Sequence, residues 1–236
     1  MKRNIFLAIG LVLAGLIIYL SVTGNLTQKE SSDDNGNSQE IDSVSQATEN
    51  RYQELEIRDY EGMRLDPSVG PRDNSIAGIQ QVNIEEYELQ ITGLVKNPLT
   101  FSYEQVLENK SYERLITLYC VEGWDATVLW KGVRIMDLLN KADILNENSN
   151  VIFHCLDGYT TSLPLETIKT RDLLLAYSSN GVTLPESLGF PFIVVAEDKA
   201  GYKWARWVHE IEITDDLTYE GYWESRGFSN EADIKR

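Results

Sequence analysis

Apolar and polar residues alternate along part of the chain in the way that a half-buried β-strand requires. Residues 87–95 alternate in this way and end in Lys96-Asn97-Pro98, which predicts a strand that runs into a turn. Other short apolar stretches, bounded by turn residues, predict further strands at 115–120, 151–155, 159–165, 191–196 and 207–213.

Two segments between these strands carry helix signals instead. Ser102 is a suitable N-cap for a helix over 100–109. A second helix is predicted over 133–139, with Leu138 and Leu139 packed inward. Strands and short helices therefore interleave without a regular βαβ period. This pattern predicts an α+β fold rather than a doubly wound parallel sheet.

The start of the chain has a different pattern. An apolar run from Ile5 to Val22 follows Lys2 and Arg3, and its length of roughly 18 residues reaches the lower limit for a membrane-spanning helix. We therefore expect residues 1–24 to be an uncleaved signal anchor, with a cleaved secretory signal as the alternative. Because the basic pair precedes the run, the chain would be a single-pass protein of the cell membrane, with its remainder extracytoplasmic.

A polar stretch separates this run from the rest of the chain. Residues 25–50 are rich in Ser, Asp, Asn, Gln and Glu, which predicts a disordered linker because they offer too little apolar surface to bury. A globular domain is predicted over 51–236. The formal net charge of −16 argues against nucleic acid as a partner and weakens docking onto anionic lipid. Membrane attachment would therefore depend on the N-terminal helix.

The candidate chemistry begins with the cysteines and histidines. The chain has two of each, Cys120 and Cys155, and His154 and His209. Neither histidine has helical spacing to another ligand, which argues against zinc, and both lie in apolar strands, where a structural role is the expected one. Two roles for Cys120 stay open: a disulfide with Cys155, or a thiolate ligand to a metal whose other ligands come from a cofactor.

Short motifs occur around Cys120 and after it. In chain order they include Pro71-Arg72-Asp73-Asn74, Cys120-Val121-Glu122-Gly123-Trp124, Trp130-Lys131-Gly132-Val133, Asp157-Gly158-Tyr159-Thr160, Gly201-Tyr202-Lys203-Trp204 and Gly221-Tyr222-Trp223-Glu224. The ordered series resembles the molybdopterin-binding domain of the sulfite oxidase family over roughly Tyr60 to the C-terminus. The resemblance implies a mixed, sheet-rich fold of that type and a molybdenum (or tungsten) molybdopterin cofactor.

The resemblance also implies roles for individual residues. Cys120 would be the metal ligand, and Cys120 and Tyr159 would be catalytic. Lys203 would clamp the phosphate end of the cofactor with its ammonium group. The residues expected to bind the cofactor are Arg72, Asn74, Cys120, Asp157, Thr160, Gly201, Tyr202 and Lys203.

The chain departs from the family pattern at two positions. Leu188 and Ile193 stand where many members carry polar side chains that hold the pterin, and neither can donate a hydrogen bond. Ser187, Arg206 or Lys203 would have to substitute for them, or cofactor binding would be weaker.

The substrate is the least constrained part of the prediction. A sulfite-oxidising pocket is expected to gather arginines, whereas aromatic residues are more prominent here than Arg114 and Arg134. The resemblance implies oxygen-atom transfer on a small-molecule substrate, either sulfoxide-type reduction or sulfite-type oxidation. Electrons would be exchanged with a membrane or extracytoplasmic haem or quinone partner. The alternative function is a cofactor-free extracytoplasmic binding or electron-partner module on the same fold.

Overall fold

The computed structural model describes residues 50–68 and 75–234. The expected signal anchor at 1–24, the linker up to residue 49, and both Arg72 and Asn74 lie outside the described residues. In the described part of the chain, no helix is both long enough and apolar enough to span a membrane.

After residue 56, the described fold contains twelve strands and three α-helices. The strands are β1 (Asp59–Tyr60), β2 (Met63–Arg64), β3 (Glu88–Gly93), β4 (Leu99–Ser102), β5 (Ser111–Tyr119), β6 (Asp125–Arg134), β7 (Asn150–Cys155), β8 (Thr160–Pro164), β9 (Leu174–Ser179), β10 (Val182–Thr183), β11 (Ile193–Val195) and β12 (Val208–Thr214). The helices are α1 (Tyr103–Leu107), α2 (Ile135–Leu139) and α3 (Leu165–Thr170). Residues 50–55 are also helical.

The strands form two five-stranded sheets and a small hairpin of β1 with β2. The first sheet has the order β10-β9-β6-β5, with β11 also paired to β9. The second has the order β4-β3-β12-β7-β8. Among the described strands, β3 and β12 form the one parallel pair. The mixed, largely antiparallel topology confirms the predicted α+β class.

One apolar core contains side chains from both sheets. Ile91 and Ile211 enter it from the second sheet, and Val133 and Leu175 enter it from the first, each with no measurable exposure. Helix α2 adds four of its five residues as buried side chains. Burial on this scale orders the strands and fixes their ends, where the turns of the candidate site lie.

The predicted elements agree with the structure except at some boundaries. Ser102 caps α1 as predicted: its hydroxyl accepts from the Gln105 N–H, and the Gln105 side chain accepts from the Ser102 N–H. The prediction that the helix starts at residue 100 is wrong, because 99–102 pairs with β3 as an edge strand. Helix α2 begins two residues later than predicted, since Val133 still belongs to β6.

Strand β6 was not predicted. Its ten residues include three consecutive buried side chains, Val128, Leu129 and Trp130. A strand that is buried on both faces has no polar-apolar alternation, so the period that reveals half-buried strands is absent.

Candidate active site

Cys120 lies in the turn that joins β5 to β6. The turn is closed by two hydrogen bonds: the Cys120 N–H donates to the Trp124 carbonyl (2.9 Å), and the Gly123 N–H donates to the Cys120 carbonyl (3.1 Å). Gly123 has φ +89°, a left-handed conformation in which the absence of a Cβ avoids strain. Cys120 is partly exposed, Cys155 is buried in β7, and no disulfide joins them, so the disulfide alternative is not formed.

A 3-10 turn over Gly201–Lys203 packs against Cys120. A Cβ added at Gly201 would lie 3.3 Å from the Tyr119 carbonyl oxygen and 3.6 Å from the Cα of Cys120. Tyr119 and Ala200 also form an isolated parallel bridge. The close approach of the two backbones at Gly201 therefore brings this turn next to Cys120.

Tyr159 joins this group through Tyr202. Its hydroxyl donates a hydrogen bond to the Tyr202 carbonyl oxygen. Burial is the main cause that raises the pKa of Tyr159 well above its ordinary value near 10, and the charge of Glu224 adds to the shift. The hydroxyl therefore stays protonated at neutral pH and holds the 3-10 turn in place.

Asp157 and Thr160, on either side of Tyr159, hold other parts of the chain. Asp157 accepts from the Tyr159 N–H (3.0 Å) with Oδ1 and from the Ile76 N–H (3.4 Å) with Oδ2. The Thr160 hydroxyl accepts from the Tyr219 hydroxyl (2.9 Å). Both side chains thus fix neighbouring loops around the candidate site.

Lys203, the predicted phosphate clamp, hydrogen-bonds to buried protein groups in the structure. This side chain is fully buried, and its Nζ donates to the Ser162 carbonyl (2.9 Å), to Asn230 Oδ1 (2.9 Å) and to Glu224 Oε1. An ammonium group has three N–H donors, so these three acceptors use all of them. Lys203 therefore anchors the C-terminal segment to β8 and has no donor left for a phosphate.

Glu224 is the residue that sequence reasoning missed. Its side chain has no exposed surface, and its Oε1 also accepts from the Thr161 hydroxyl (2.6 Å). Its Oε2 is buried without a hydrogen-bond partner among the described residues. Burial lowers the pKa of Lys203, and the hydrogen bond and charge of Glu224 oppose that shift. Glu224 ends one of the quoted motifs, but nothing in the motif indicates its partner.

Five aromatic side chains form a contiguous group beside this pair, which we call the aromatic cluster. Its members are Tyr159, Tyr202, Tyr222, Trp223 and Phe228, and the ring centroids of successive contacts are 5.2–5.8 Å apart. The Arg226 guanidinium stacks on the Tyr222 ring at 3.6 Å. Because Tyr202 follows Gly201, the cluster borders the Cys120 turn.

Arg114 and Arg134 do not join Cys120. Arg114 stands six residues before Cys120 along β5, which places their backbones ~20 Å apart. Both arginines instead approach Asp172, at 3.9 Å from Arg114 and 3.2 Å from Arg134. Neither contributes to an anion pocket at the thiol.

The two positions that depart from the family pattern lie in different surroundings. Ile193 is buried in β11 at 1% exposure, and Leu188 ends a 3-10 turn. Arg206 donates to the Ser187 carbonyl in that turn (2.9 Å). Ser187 and Arg206, two of the expected substitutes, are therefore in contact with each other.

Comparison with known proteins decides the family. Residues 76–223 match the family described as oxidoreductase molybdopterin binding domain. The chain belongs to this family. The oxidoreductase YuiH of Bacillus subtilis is 35% identical over 152 residues, which cover 64% of this chain and 76% of YuiH.

Two more distant relatives and one solved structure are also similar to the chain. The putative protein-methionine-sulfoxide reductase subunit YedZ1 of Azospira oryzae is 28% identical, with 64% of this chain and 57% of that protein covered. Nitrate reductase (NADH) 1 of Arabidopsis thaliana is 27% identical, with 58% of this chain but 18% of the enzyme covered. The sulfane dehydrogenase SoxCD from Paracoccus pantotrophus shares the fold, with a TM-score of 0.58 at 20% identity, over 72% of this chain and 54% of its own.

These matches confirm the sulfite-oxidase-type fold, an enzyme of the molybdopterin oxidoreductase class and a molybdenum-molybdopterin cofactor. The metal end of such a cofactor fits the Cys120 turn, since a partly exposed thiol is the soft ligand that it requires. No heavy atom outside its two chain neighbours lies within 4 Å of a Cβ added at Gly123, so the turn is open at this position. The phosphate end finds no donor at Lys203.

Proposed function

We propose that this molybdopterin oxidoreductase reduces sulfoxides, with Cys120 as the protein ligand to molybdenum. The overall change is R₂S=O + 2e⁻ + 2H⁺ → R₂S + H₂O, in which the sulfur–oxygen bond is broken and the oxygen leaves as water. The cofactor supplies the two-electron chemistry when it is bound. The observation that carries the proposal is the aromatic cluster beside the Cys120 turn.

The chemistry of the substrate favours this direction over sulfite oxidation. A sulfoxide is neutral and carries apolar substituents, and aromatic rings make favourable contacts with both apolar groups and sulfur. Sulfite is an anion whose recognition calls for paired guanidinium groups. Arg114 and Arg134 are held at Asp172, and Arg226 is stacked on Tyr222. The relative YedZ1, a putative protein-methionine-sulfoxide reductase subunit, supports a sulfoxide as the substrate.

Other residues of the chain would hold the surroundings of Cys120, the proposed metal ligand, in position. Tyr159 fixes the Tyr202 backbone, and the Lys203–Glu224 pair fixes the base of the same 3-10 turn. These contacts fix the aromatic cluster to the 3-10 turn that packs against Cys120, and a fixed site would orient the substrate.

We further propose that residues 1–24 anchor the enzyme in the cell membrane, with the catalytic domain outside the cytoplasm. The apolar run from Ile5 to Val22 supports this placement. Electrons would then come from a membrane or extracytoplasmic haem or quinone partner. Protease treatment of intact cells tests the proposal: degradation of the domain is expected, and a domain cut only after cell lysis would contradict it.

Substitution of the two cysteines tests the function. Cys120→Ser should abolish sulfoxide reduction with a reduced dye, while the free energy of unfolding changes by about 0.5 kcal/mol or less, because the residue is partly exposed. Cys155→Ala is the matched control. It should lower stability, because the residue is 3% exposed in the core, yet retain molybdenum and activity.

Parallel assays separate the possible outcomes. Molybdenum and tungsten content per chain, sulfoxide reduction and sulfite oxidation are measured on the same preparation. Undiminished turnover in Cys120→Ser would rule out the ligand role, and oxidation of sulfite without reduction of sulfoxides would overturn the proposed substrate. A chain without metal, even when it is expressed with a cofactor supply, would favour the cofactor-free module.

A further inference from the structure

Both histidines of the chain lie on the second sheet near two glutamates. His154 is on β7, and Glu210 and Glu212 are on the neighbouring strand β12. His154 pairs directly with Glu210 in the register of the two strands. One ligand atom from each of these three side chains lies within 4.8 Å of the others. All three are partly exposed and alternate with buried core residues such as Ile211, so they point away from the core.

A β-bulge lies next to this group of side chains on β12. The register of β12 against β7 shifts between Val208 and Glu210, which makes His209 the extra residue. Bulges redirect side chains that would otherwise point to the opposite face.

The donor set is that of a transition-metal site. Imidazole nitrogen and carboxylate oxygen together suit divalent metals such as Zn²⁺. Bonds of ~2.1 Å to Zn²⁺ would place tetrahedral ligand atoms ~3.4 Å apart. His154 Nε2 and Glu212 Oε2 are 2.9 Å apart and need to separate only slightly, and no separation in the group, at 4.8 Å or less, must close by more than about 1.4 Å.

The cluster also has a supporting contact. The Thr92 hydroxyl on β3 donates to Glu210 Oε1 (2.6 Å) and so orients that carboxylate. A simple ion pair of His154 with Glu212 would need neither this contact nor the bulge at His209. The combination of His154, Glu210 and Glu212 is therefore better explained by a common ligand.

We propose that His154, Glu210 and Glu212 bind one divalent first-row transition metal such as Zn²⁺ on the outer face of the second sheet, with solvent completing the coordination. None of these residues belongs to the Cys120 turn or the aromatic cluster, and the inference does not depend on the proposed function. The bound metal would link β7 to β12 and stabilise the centre of the second sheet.

Calorimetric titration of the tag-free full-length holoenzyme with Zn²⁺ tests the proposal. We expect one equivalent to bind per chain and the melting temperature to rise with Zn²⁺ concentration. His154→Gln and Glu212→Gln should each weaken binding at least ~10-fold, since each removes a ligand. Glu88→Gln is the matched control: it neutralises an exposed carboxylate on β3, outside the cluster, and should bind Zn²⁺ like the wild type.

Visible absorption of Co²⁺ bound to the same proteins supplies a second readout. A spectrum with nitrogen and oxygen ligands that disappears in both His154→Gln and Glu210→Gln supports the site. Far-ultraviolet circular dichroism establishes that each variant is folded. Failure of the wild type to bind Zn²⁺, or equal affinity in His154→Gln and Glu88→Gln, would overturn the proposal.

Discussion

The buried pair of Lys203 and Glu224 makes a quantitative prediction about stability. Lys203→Met retains the length of the side chain but removes the cation. Glu224 then keeps Thr161 as a hydrogen-bond donor while its carboxylate stays at 0% exposure. Removing one partner of a buried ion pair costs about 3–5 kcal/mol, because the remaining charge is left uncompensated. This loss is a large fraction of the ~5–15 kcal/mol that stabilises an ordinary domain.

The double variant separates the charge effect from lost packing. Lys203→Met with Glu224→Met removes both charges and leaves the Thr161 hydroxyl without its acceptor, a cost of about 1–3 kcal/mol. We therefore expect the double variant to be more stable than either single variant. The cycle should show a coupling of several kcal/mol, as expected for side chains in direct contact.

Urea denaturation followed by tryptophan fluorescence is the assay, since Trp204 and Trp223 are adjacent in sequence to the pair. With a slope of about 2 kcal/mol per molar urea, the single variant should shift the midpoint by about 1.5–2.5 M. Lys199→Met is the matched control. Lys199 is also nearly buried, but its partner Asp233 is 57% exposed, so the expected loss is about 1 kcal/mol or less.

Two outcomes would refute the reasoning. One is a loss below about 1 kcal/mol in Lys203→Met, the scale of an exposed ion pair. The other is simple additivity of the two single variants, which would mean that the charges do not compensate each other. A variant that kept its stability but lost the cofactor would instead restore the phosphate-clamp role of Lys203.

Two further predictions concern a glycine and a tyrosine. A Cβ at Gly221 would lie 2.3 Å from the Thr160 carbonyl oxygen, so Gly221→Ala should lower the free energy of unfolding in urea by about 3 kcal/mol. Gly123 has open space but φ +89°, so Gly123→Ala should cost about 1 kcal/mol. Equal losses in the two variants would contradict the steric argument. Burial, followed by the charges of Tyr177 and Glu104, raises the pKa of Tyr103 to about 12. The contribution of the protonated Tyr103 side chain to stability should therefore be complete below about pH 10 and disappear as the pH rises to about 12. An unchanged alkaline unfolding transition in Tyr103→Phe would contradict this pH dependence.

Local sequence signals predicted several elements well because burial acts on neighbouring residues. Alternation along 87–95 predicted β3, and the Ser102 cap predicted the start of α1, since both depend on contacts a few residues apart. The same reasoning missed β6, which lies between β5 and β9 in the first sheet and whose buried run Val128, Leu129 and Trp130 does not alternate with polar residues.

The candidate site was predicted only in part. The order of motifs around Cys120 indicated the family, and the matched residues 76–223 confirm it. The buried partner of Lys203, Glu224, was not predicted because it lies 21 residues away in the sequence. A lysine in a glycine-containing turn has the same local sequence whether its ammonium group faces a ligand or a buried carboxylate.

The sequence by itself determined the strand-rich class, the family and the position of the thiol, because these depend on short-range periodicity and on motif order. The tertiary structure decided which polar groups meet. It brought His154 together with Glu210 and Glu212 through strand register, and it held Arg114 ~20 Å along β5 from Cys120. The physical reason is that hydrogen bonds and charges act over a few ångströms in space, whatever the separation of the residues along the chain.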